Sequence, residues 1–200
     1  MYLFPGIIWK GPNQKKNLYL TFDDGPGTGT LPILDILKSK GVKASFFLLG
    51  SQMEMHPELV ERILDDGHQI ANHSYLHSRG KEMESVQYLE GANQTRALLN
   101  GYQGQVKSHF FRPPYGQMTF RQYRSLVKEG FKIAMYSLMP GDFDASISDE
   151  ECLQRLKALT KAGDIIVLHD NQKSMNRLVK ILPQYIDYCL SRGFQFDLLP

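Results

Sequence analysis

The chain has 200 residues, of which 42% are hydrophobic and 22% charged, a composition typical of a folded globular protein and not of a disordered one. Its 23 Lys and Arg residues against 21 Asp and Glu residues give a formal net charge of +2 without any run of like charges, so nucleic acid is not expected as a partner. The two cysteines, Cys152 and Cys189, are too few for a disulfide framework or a cysteine-based zinc site, and we expect both to be buried.

The N-terminal segment is apolar, but it does not predict a membrane anchor. No basic region precedes its apolar residues, and Pro5 and Gly6 interrupt a run that is far shorter than the ~20 residues needed to span a bilayer. We therefore expect no transmembrane segment. The expected compartment is extracytoplasmic if a signal was removed and cytoplasmic otherwise, and the oligomeric state is left open.

From residue 17 onward, short runs rich in β-branched and aromatic residues alternate with longer stretches of helical periodicity, which predicts repeated βα units. The predicted strands are 17–22, 43–48, 69–72, 109–111, 131–136, 164–168 and 194–198. The predicted helices are 31–40, 57–66, 82–100, 118–129, 148–162 and 175–192. Glycines expected just beyond helix ends are Gly41, Gly67, Gly101, Gly130, Gly163 and Gly193.

This alternation favours the α/β class with a parallel sheet. A complete eight-unit barrel needs ~250 residues, so we expect a distorted, incomplete (β/α) barrel with about seven parallel strands. No linker, break in composition or internal repeat divides the chain, and residues 1–200 are expected to form one domain.

Two adjacent carboxylates, Asp23 and Asp24, follow the first predicted strand, and Gly25 and Pro26 after them favour a turn. Neighbouring side chains on a strand point to opposite faces. The two acids can therefore share a site only where the backbone leaves the strand, and then with different directions. By itself, this pattern is more often a solvated turn than a site.

His73 and His77 follow the third predicted strand and are four residues apart. On a helical turn this spacing places the Cβ atoms about 5–6 Å apart, so that one cation could contact both rings. Two histidines and one carboxylate leave a coordination position open for water, as a catalytic zinc site requires, and Asp24 is the expected third ligand. A lone pair of this kind is more often incidental, so the interpretation needs support from other residues.

That support comes from polar residues at the ends of later predicted strands, namely Arg112, Asp142 and His169. Functional groups of parallel α/β folds gather at the carboxyl ends of the strands, so these residues are expected to meet at one rim. Arg112 could instead be a surface guanidinium and Asp142 a turn acid. His169 ends an apolar run, where a polar side chain needs a partner or a task.

Other conspicuous polar residues are interpreted as structural. His56, His68 and His109 stand at the beginnings of predicted elements. Arg79 and Lys81 follow the metal histidines and are interpreted as solvated side chains, with contact to a substrate as the less favoured alternative.

Five motifs occur in the order TFDDGP, HSYLH, RPPYG, GDFD and IIVLHD. Together they resemble the polysaccharide deacetylases of carbohydrate esterase family 4, the NodB-homology domain, over about residues 17–170. The resemblance implies a hydrolase that uses one divalent ion, zinc by preference and otherwise cobalt or another ion, to remove N-acetyl groups from glycans of the N-acetylglucosamine type. Such glycans include peptidoglycan, chitin oligomers and envelope glycans. The rival hypotheses are an O-acetyl esterase acting on xylan-like glycans and a non-catalytic sugar-binding protein.

The resemblance also implies roles for the motif residues. Asp23 corresponds to the family's base, and Asp24, His73 and His77 correspond to its metal ligands. Arg112 corresponds to the arginine that orients the base. Charge pairing with an arginine would favour the ionised carboxylate that a base requires.

Later motifs supply the remaining roles. Tyr115 corresponds to the residue whose backbone N–H helps to hold the oxyanion, and Pro114 precedes it in the same motif. His169 corresponds to the acid that protonates the departing sugar amine, and Asp142 would help to keep it protonated.

The chain departs from the family pattern at three positions of the expected substrate wall. Met139 stands where the family usually has an acid, Phe143 where it has a tryptophan, and Val167 where it has a leucine. Phe143, Val167 and Pro114 are expected to contact the substrate, but the family's sugar preference does not carry over to this altered wall.

Overall fold

The computed structural model describes residues 4–13, 15–103 and 109–200. The strands are β1 (Asn17–Asp23), β2 (Ser45–Leu48), β3 (Gln69–Asn72), β4 (Phe110–Phe111), β5 (Lys132–Ile133), β6 (Ile165–His169) and β7 (Gln195–Phe196). Their spatial order is β5-β4-β3-β2-β1-β6, with β7 paired to the beginning of β1, and these strand pairings are parallel. The sheet curls into an incomplete (β/α) barrel, which confirms the predicted fold class.

The helices surround this sheet. In the described part of the chain they are α1 (Thr30–Lys40), α2 (Gly50–Met55), α3 (Pro57–Asp65), α4 (Ser85–Gln103), α5 (Phe120–Lys128), α6 (Asp149–Leu159) and α7 (Gln172–Ser191). Short 3₁₀ turns lie at Gly80–Glu82 and Pro114–Gly116. The sequence does not predict α2, because its six residues are too few to display a helical period.

The predicted helix ends are correct at some glycines and wrong at others. Gly41 ends α1 in the left-handed conformation, with a φ of 64°, as glycine readily does. At Gly101 the prediction is wrong, since α4 continues through it. Burial of Leu99 in the same turn offsets the roughly 1 kcal/mol that a helical glycine costs. Gly163 does not cap α6 either, because that helix already ends at Leu159.

The side chains of β1 alternate between the two faces of the sheet. Leu18, Leu20 and Phe22 pack in the large core between the sheet and the helices, whereas Tyr19 packs with Phe47 inside the barrel. Because the side-chain period of a strand is two residues, the next interior positions after Tyr19 are Thr21 and Asp23. Alternation along one strand therefore brings a carboxylate into the barrel.

Two short segments cross the seam between the edge strands β5 and β6. Leu138 forms a parallel bridge with Ile166 of β6. Near the N-terminus, Ile8 forms a bridge with Ala134, which follows β5, and Lys10 forms a bridge with Asp164, which precedes β6. The barrel is thus closed across its gap by isolated bridges instead of a regular strand.

The carboxyl ends of β1, β2, β3, β4 and β6 lie at one rim because the strands are parallel and adjacent. At this rim Asp23 is the register partner of His169. Cys152 and Cys189 are fully buried free thiols, as expected. None of the described helices is both long and apolar enough to cross a membrane.

Candidate active site

Asp23 ends β1 inside the barrel, where it meets Arg112 from the segment after β4. Arg112 Nη1 donates to Asp23 Oδ1 at 2.6 Å and to Thr21 Oγ1 at 2.7 Å. The other guanidinium nitrogens donate to the carbonyl oxygens of Ala134 and Met135. Arg112 is only 1% exposed, so it is not a surface guanidinium. Its hydrogen bonds hold the Asp23 carboxylate in one orientation.

Asp24 follows the strand, and its backbone adopts the left-handed conformation with a φ of 81°. Its carboxylate faces the two histidines, with Oδ1 at 3.1 Å from His77 Nε2 and 3.5 Å from His73 Nε2. Asn171 Nδ2 donates to the other oxygen, Oδ2, at 2.7 Å. Burial would raise the pKa of Asp24, but the neighbouring His73 and His77 side chains hold it well below its usual range. The ionised form is therefore favoured.

Asp24, His73 and His77 have the geometry of a candidate metal site. One donor atom from each lies within 4.8 Å of the others, and Asp24 Oδ1 is buried without a hydrogen-bond partner. His73 Nδ1 lies 2.8 Å from the carbonyl oxygen of Arg112. That oxygen can only accept, so Nδ1 carries the proton and Nε2 is free for an ion. The residues present therefore fit a divalent cation, and two imidazoles with one carboxylate are a donor set typical of zinc.

The turn that carries both acids packs on Asp170. Thr30 Oγ1 donates to Asp170 Oδ2 at 2.6 Å, and a Cβ atom placed on Gly25 would lie 2.0 Å from the same oxygen. A glycine is therefore required directly after the acid pair. Burial raises the pKa of Asp170 to about 7, which is consistent with its position beneath two other carboxylates.

Asp142 and His169 form a second hydrogen-bonded pair. Asp142 Oδ2 accepts the backbone N–H of His169 at 2.8 Å, and Oδ1 lies 3.0 Å from His169 Nδ1. Asp142 is 1% exposed, so it is not a solvated turn acid. Burial would lower the pKa of His169, but the hydrogen bond and the charge of Asp142 raise it to about 9. His169 therefore carries a proton at neutral pH.

Tyr115 lies in the 3₁₀ turn after β4 and has a φ of 57°. The next two amides donate within the turn, Gly116 to Pro113 O and Gln117 to Pro114 O. The Tyr115 N–H lies outside these two hydrogen bonds. The tyrosine ring lies 4.5 Å from the His77 ring, measured between centroids, so this turn borders the candidate metal site.

A cleft of about 580 Å³ joins these groups, a volume suited to a small ligand. The residues singled out in the sequence that line this cleft are Asp23, Asp24, His73, His77, Met139, Tyr115, Phe143, Val167 and His169. Arg112 and Asp142 lie buried behind the lining, Arg112 against Asp23 and Asp142 against His169. Pro113 and not Pro114 lines the cleft, and Pro114 is the first residue of the 3₁₀ turn that follows. The Phe143 ring packs edge-on against His169.

Sequence reasoning missed several residues of this cleft. Asn171 holds Asp24 and also caps α7, accepting hydrogen bonds from Lys173 N and Ser174 N. An asparagine before a helical run is a cap signal, but nothing in the sequence connects it to Asp24. Arg79, interpreted from the sequence as a solvated side chain, is 48% exposed and also lines the cleft, together with Lys173.

The sequence model of the family described as Polysaccharide deacetylase matches residues 10–134. A peptidoglycan-N-acetylglucosamine deacetylase of Bacillus cereus is 34% identical over 198 residues, covering 96% of this chain and 70% of that protein. A bifunctional xylanase/deacetylase of Pseudobutyrivibrio xylanivorans is 32% identical, covering 92% of this chain but only 30% of that protein.

The chain is also similar to solved structures of polysaccharide deacetylases and related proteins. The crystal structure of the Bc1960 peptidoglycan N-acetylglucosamine deacetylase has a TM-score of 0.91 at 32% identity, covering 98% of this chain and 91% of that one. A mutant of BA3943, described as a CE4 family pseudoenzyme with restored enzymatic activity, has a TM-score of 0.84 at 26% identity, with coverages of 96% and 69%. The chain therefore belongs to the polysaccharide deacetylase family.

Proposed function

We propose that this chain is a divalent-metal-dependent hydrolase that removes N-acetyl groups from glycans of the N-acetylglucosamine type. The observation that carries the proposal is the meeting of three sets of groups in one cleft. These are the Asp23–Arg112 pair, the Asp24–His73–His77 triad and the Asp142–His169 pair. Hydrolysis of an acetamide needs a group that accepts a proton and another that donates one.

Asp24, His73 and His77 would hold the metal ion, and zinc is the proposed ion because the donor set is nitrogen-rich. When bound, a divalent ion polarises the acetamide carbonyl and makes water a stronger nucleophile. All further steps belong to side chains and amides of this chain.

Asp23 would accept the proton of the attacking water. The carboxylate is directed by its 2.6 Å contact with Arg112, and a fixed base loses little free energy in reorientation during the reaction. Arg112 also compensates the charge of this buried carboxylate, which is 3% exposed.

His169 would donate a proton to the departing sugar nitrogen. An amine leaves poorly as an anion, so C–N cleavage needs a proton donor at that atom. The Tyr115 N–H would donate to the carbonyl oxygen as negative charge develops on it, because this amide lies outside the hydrogen bonds of its own turn. Acetate and a free amine are the products.

The similarity to a bifunctional xylanase/deacetylase favours one second candidate, an esterase that removes O-acetyl groups from xylan-like glycans. The same base and acid would serve, because an alkoxide leaving group also accepts a proton. The two candidates differ in the atom that is deacetylated and therefore in the substrates that release acetate.

Acetate release from N-acetylglucosamine oligomers, peptidoglycan and acetylated xylan tests the proposal, with the protein stripped of metal and then supplied with zinc or cobalt. We expect acetate from the N-acetylated glycans only after metal is supplied. Release from xylan alone would establish the esterase instead. Glycan binding without acetate from any substrate would overturn the enzymatic proposal and indicate a sugar-binding protein.

A further inference from the structure

Two cationic side chains line the cleft without a part in the steps above. Arg79 follows the second histidine of the candidate metal site, and Lys173 lies in the first turn of α7. Both side chains are accessible, since the side chain of Arg79 is 48% exposed and Lys173 is an exposed residue.

Arg79 is held in place by stacking and not by a strong ion pair. Its guanidinium carbon lies 4.2 Å from the centroid of the Tyr115 ring, and that ring contacts His77 in turn. The carboxylate nearest to Arg79 is Glu82, at 3.8 Å, on a side chain that is 72% exposed. Stacking on an aromatic face orients a guanidinium and leaves its N–H donors available at the edge.

Lys173 adds a second positive charge at the beginning of a long helix. The described residues contain no ion-pair partner for its ammonium group, and its backbone N–H donates to Asn171 Oδ1 at 3.0 Å. The 20-residue helix α7 directs its N-terminus, the positive end of its dipole, to the same part of the cleft.

The negative charges of the cleft are already compensated. Among the described residues, the carboxylates that line it are Asp23 and Asp24. Asp23 is paired with Arg112, and Asp24 would be a ligand of a divalent cation. What remains for a substrate to meet is the positive charge of Arg79 and Lys173. Neutral sugars gain little from such a surface, whereas carboxylates gain charge-assisted hydrogen bonds.

We propose that Arg79 and Lys173 bind carboxylate groups of the substrate, so that the cleft selects acetylated glycans bearing carboxylates over neutral acetylated glycans. This inference rests on the proposed function and narrows its substrate class. Arg79 and Lys173 are then specificity-determining residues, and Tyr115 orients one of them.

A pair of substrates that differ in charge, and otherwise only by a methyl group on each carboxyl, tests the proposal. One is a tetrasaccharide of alternating N-acetylglucosamine and N-acetylmuramic acid with free carboxylates, and the other is its methyl ester. We expect the zinc-loaded protein to show a kcat/KM about tenfold higher for the free acid at low salt. This ratio should fall toward one near 1 M salt, where the Debye length is about 3 Å.

The double variant Arg79→Gln/Lys173→Gln should lower the acid-to-ester ratio to near one. Any general loss of activity cancels, because both substrates are measured with the same variant. Lys81→Gln is the matched control, since Lys81 is exposed beside Arg79 but does not line the cleft, and it should keep the ratio. A ratio near one in the unaltered protein, or a ratio that survives in the double variant, overturns the inference.

Failure of the proposed function gives a different result. The unaltered protein would then release acetate from neither substrate, and calorimetric binding of the two tetrasaccharides still tests charge selection. Tighter binding of the free acid, lost in the double variant, would support the inference. Equal binding of acid and ester would reject it.

Discussion

Asp23 and Asp24 are adjacent in the sequence but have different partners. Asp23 is still part of β1 and lies inside the barrel against Arg112. One residue later the backbone turns to a φ of 81°, and the Asp24 carboxylate meets His73 and His77. The strand ends between Asp23 and Asp24, so the two carboxylates face different partners. Two neighbouring residues of one type can therefore perform different chemistry.

This division predicts the behaviour of Asp23→Asn. The variant should bind zinc with the same stoichiometry, because its ligands are unchanged, while acetate release should fall at least ~100-fold, because an amide cannot accept the proton. Metal content and acetate release are measured on the same sample. In Asp24→Asn, the matched substitution next door, we expect loss of the metal as well. Full turnover by Asp23→Asn would remove Asp23 as the base.

The pH dependence of turnover should follow the protonation of His169. Asp142 raises the pKa of His169 to about 9, so the protonated acid is present at neutral pH and is lost as pH rises through that value. We expect kcat/KM to decline on the alkaline side. Asp142→Asn removes the negative charge, and the decline should begin at lower pH, nearer the ordinary histidine pKa of about 6.5. A profile unchanged by the substitution would contradict the role of His169 as the acid.

At the scale of elements, α7 holds the loop that carries Asp142. Arg177 lies on this helix, and its Nη1 donates to the carbonyl oxygens of Gly141, Asp142 and Asp144 at 2.9–3.1 Å. Its Nη2 donates to Ile147 O at 2.6 Å. The loop has little regular structure of its own, so one guanidinium supplies much of its hydrogen bonding.

Replacing Arg177 tests this contribution. Arg177→Lys cannot reproduce the planar fork of donors, and part-buried carbonyl groups would lose their partners. We expect a loss of about 1–3 kcal/mol in the free energy of unfolding, measured by urea denaturation. Lys180→Ala is the control, because Lys180 contacts Asp149 as Arg177 does, but its side chain is exposed. This substitution should change the free energy of unfolding by less than about 1 kcal/mol.

Much of the sheet and of the candidate site could be predicted from residue patterns. Short apolar runs followed by polar residues indicate both a parallel strand and its carboxyl end, so Asp23, Arg112 and His169 could be assigned to one rim before any coordinates. Contacts between distant elements leave no such pattern. The stack of Arg79 on Tyr115 and the choice of Pro113 over Pro114 depend on how turns pack, which periodicity does not encode.

At the scale of the whole molecule, the candidate metal site joins parts of the chain that are distant in sequence. Asp24 follows β1, whereas His73 and His77 follow β3, and β2 lies between those strands. A metal ion can therefore contact all three side chains only in the folded protein. Metal binding should consequently appear in global stability and not only in activity.

Zinc at one hundred times its dissociation constant should stabilise the folded protein by about 2.7 kcal/mol. For a chain of this size, that corresponds to a Tm increase of about 5–10 °C. Thermal unfolding with and without zinc measures the shift. His77→Ala should abolish it and His56→Ala, which alters a histidine outside the triad, should retain it. An equal shift in both variants would place the ion elsewhere.

The bridges of Ile8 and Lys10 across the seam have a consequence for handling the protein. Removing the N-terminal segment up to and including Lys10 would expose backbone N–H and C=O groups beside β5 and β6. Uncovered strand edges recruit other strands, including those of identical molecules. A shortened version would then lose solubility through edge-to-edge association, even though every residue of the cleft had been kept.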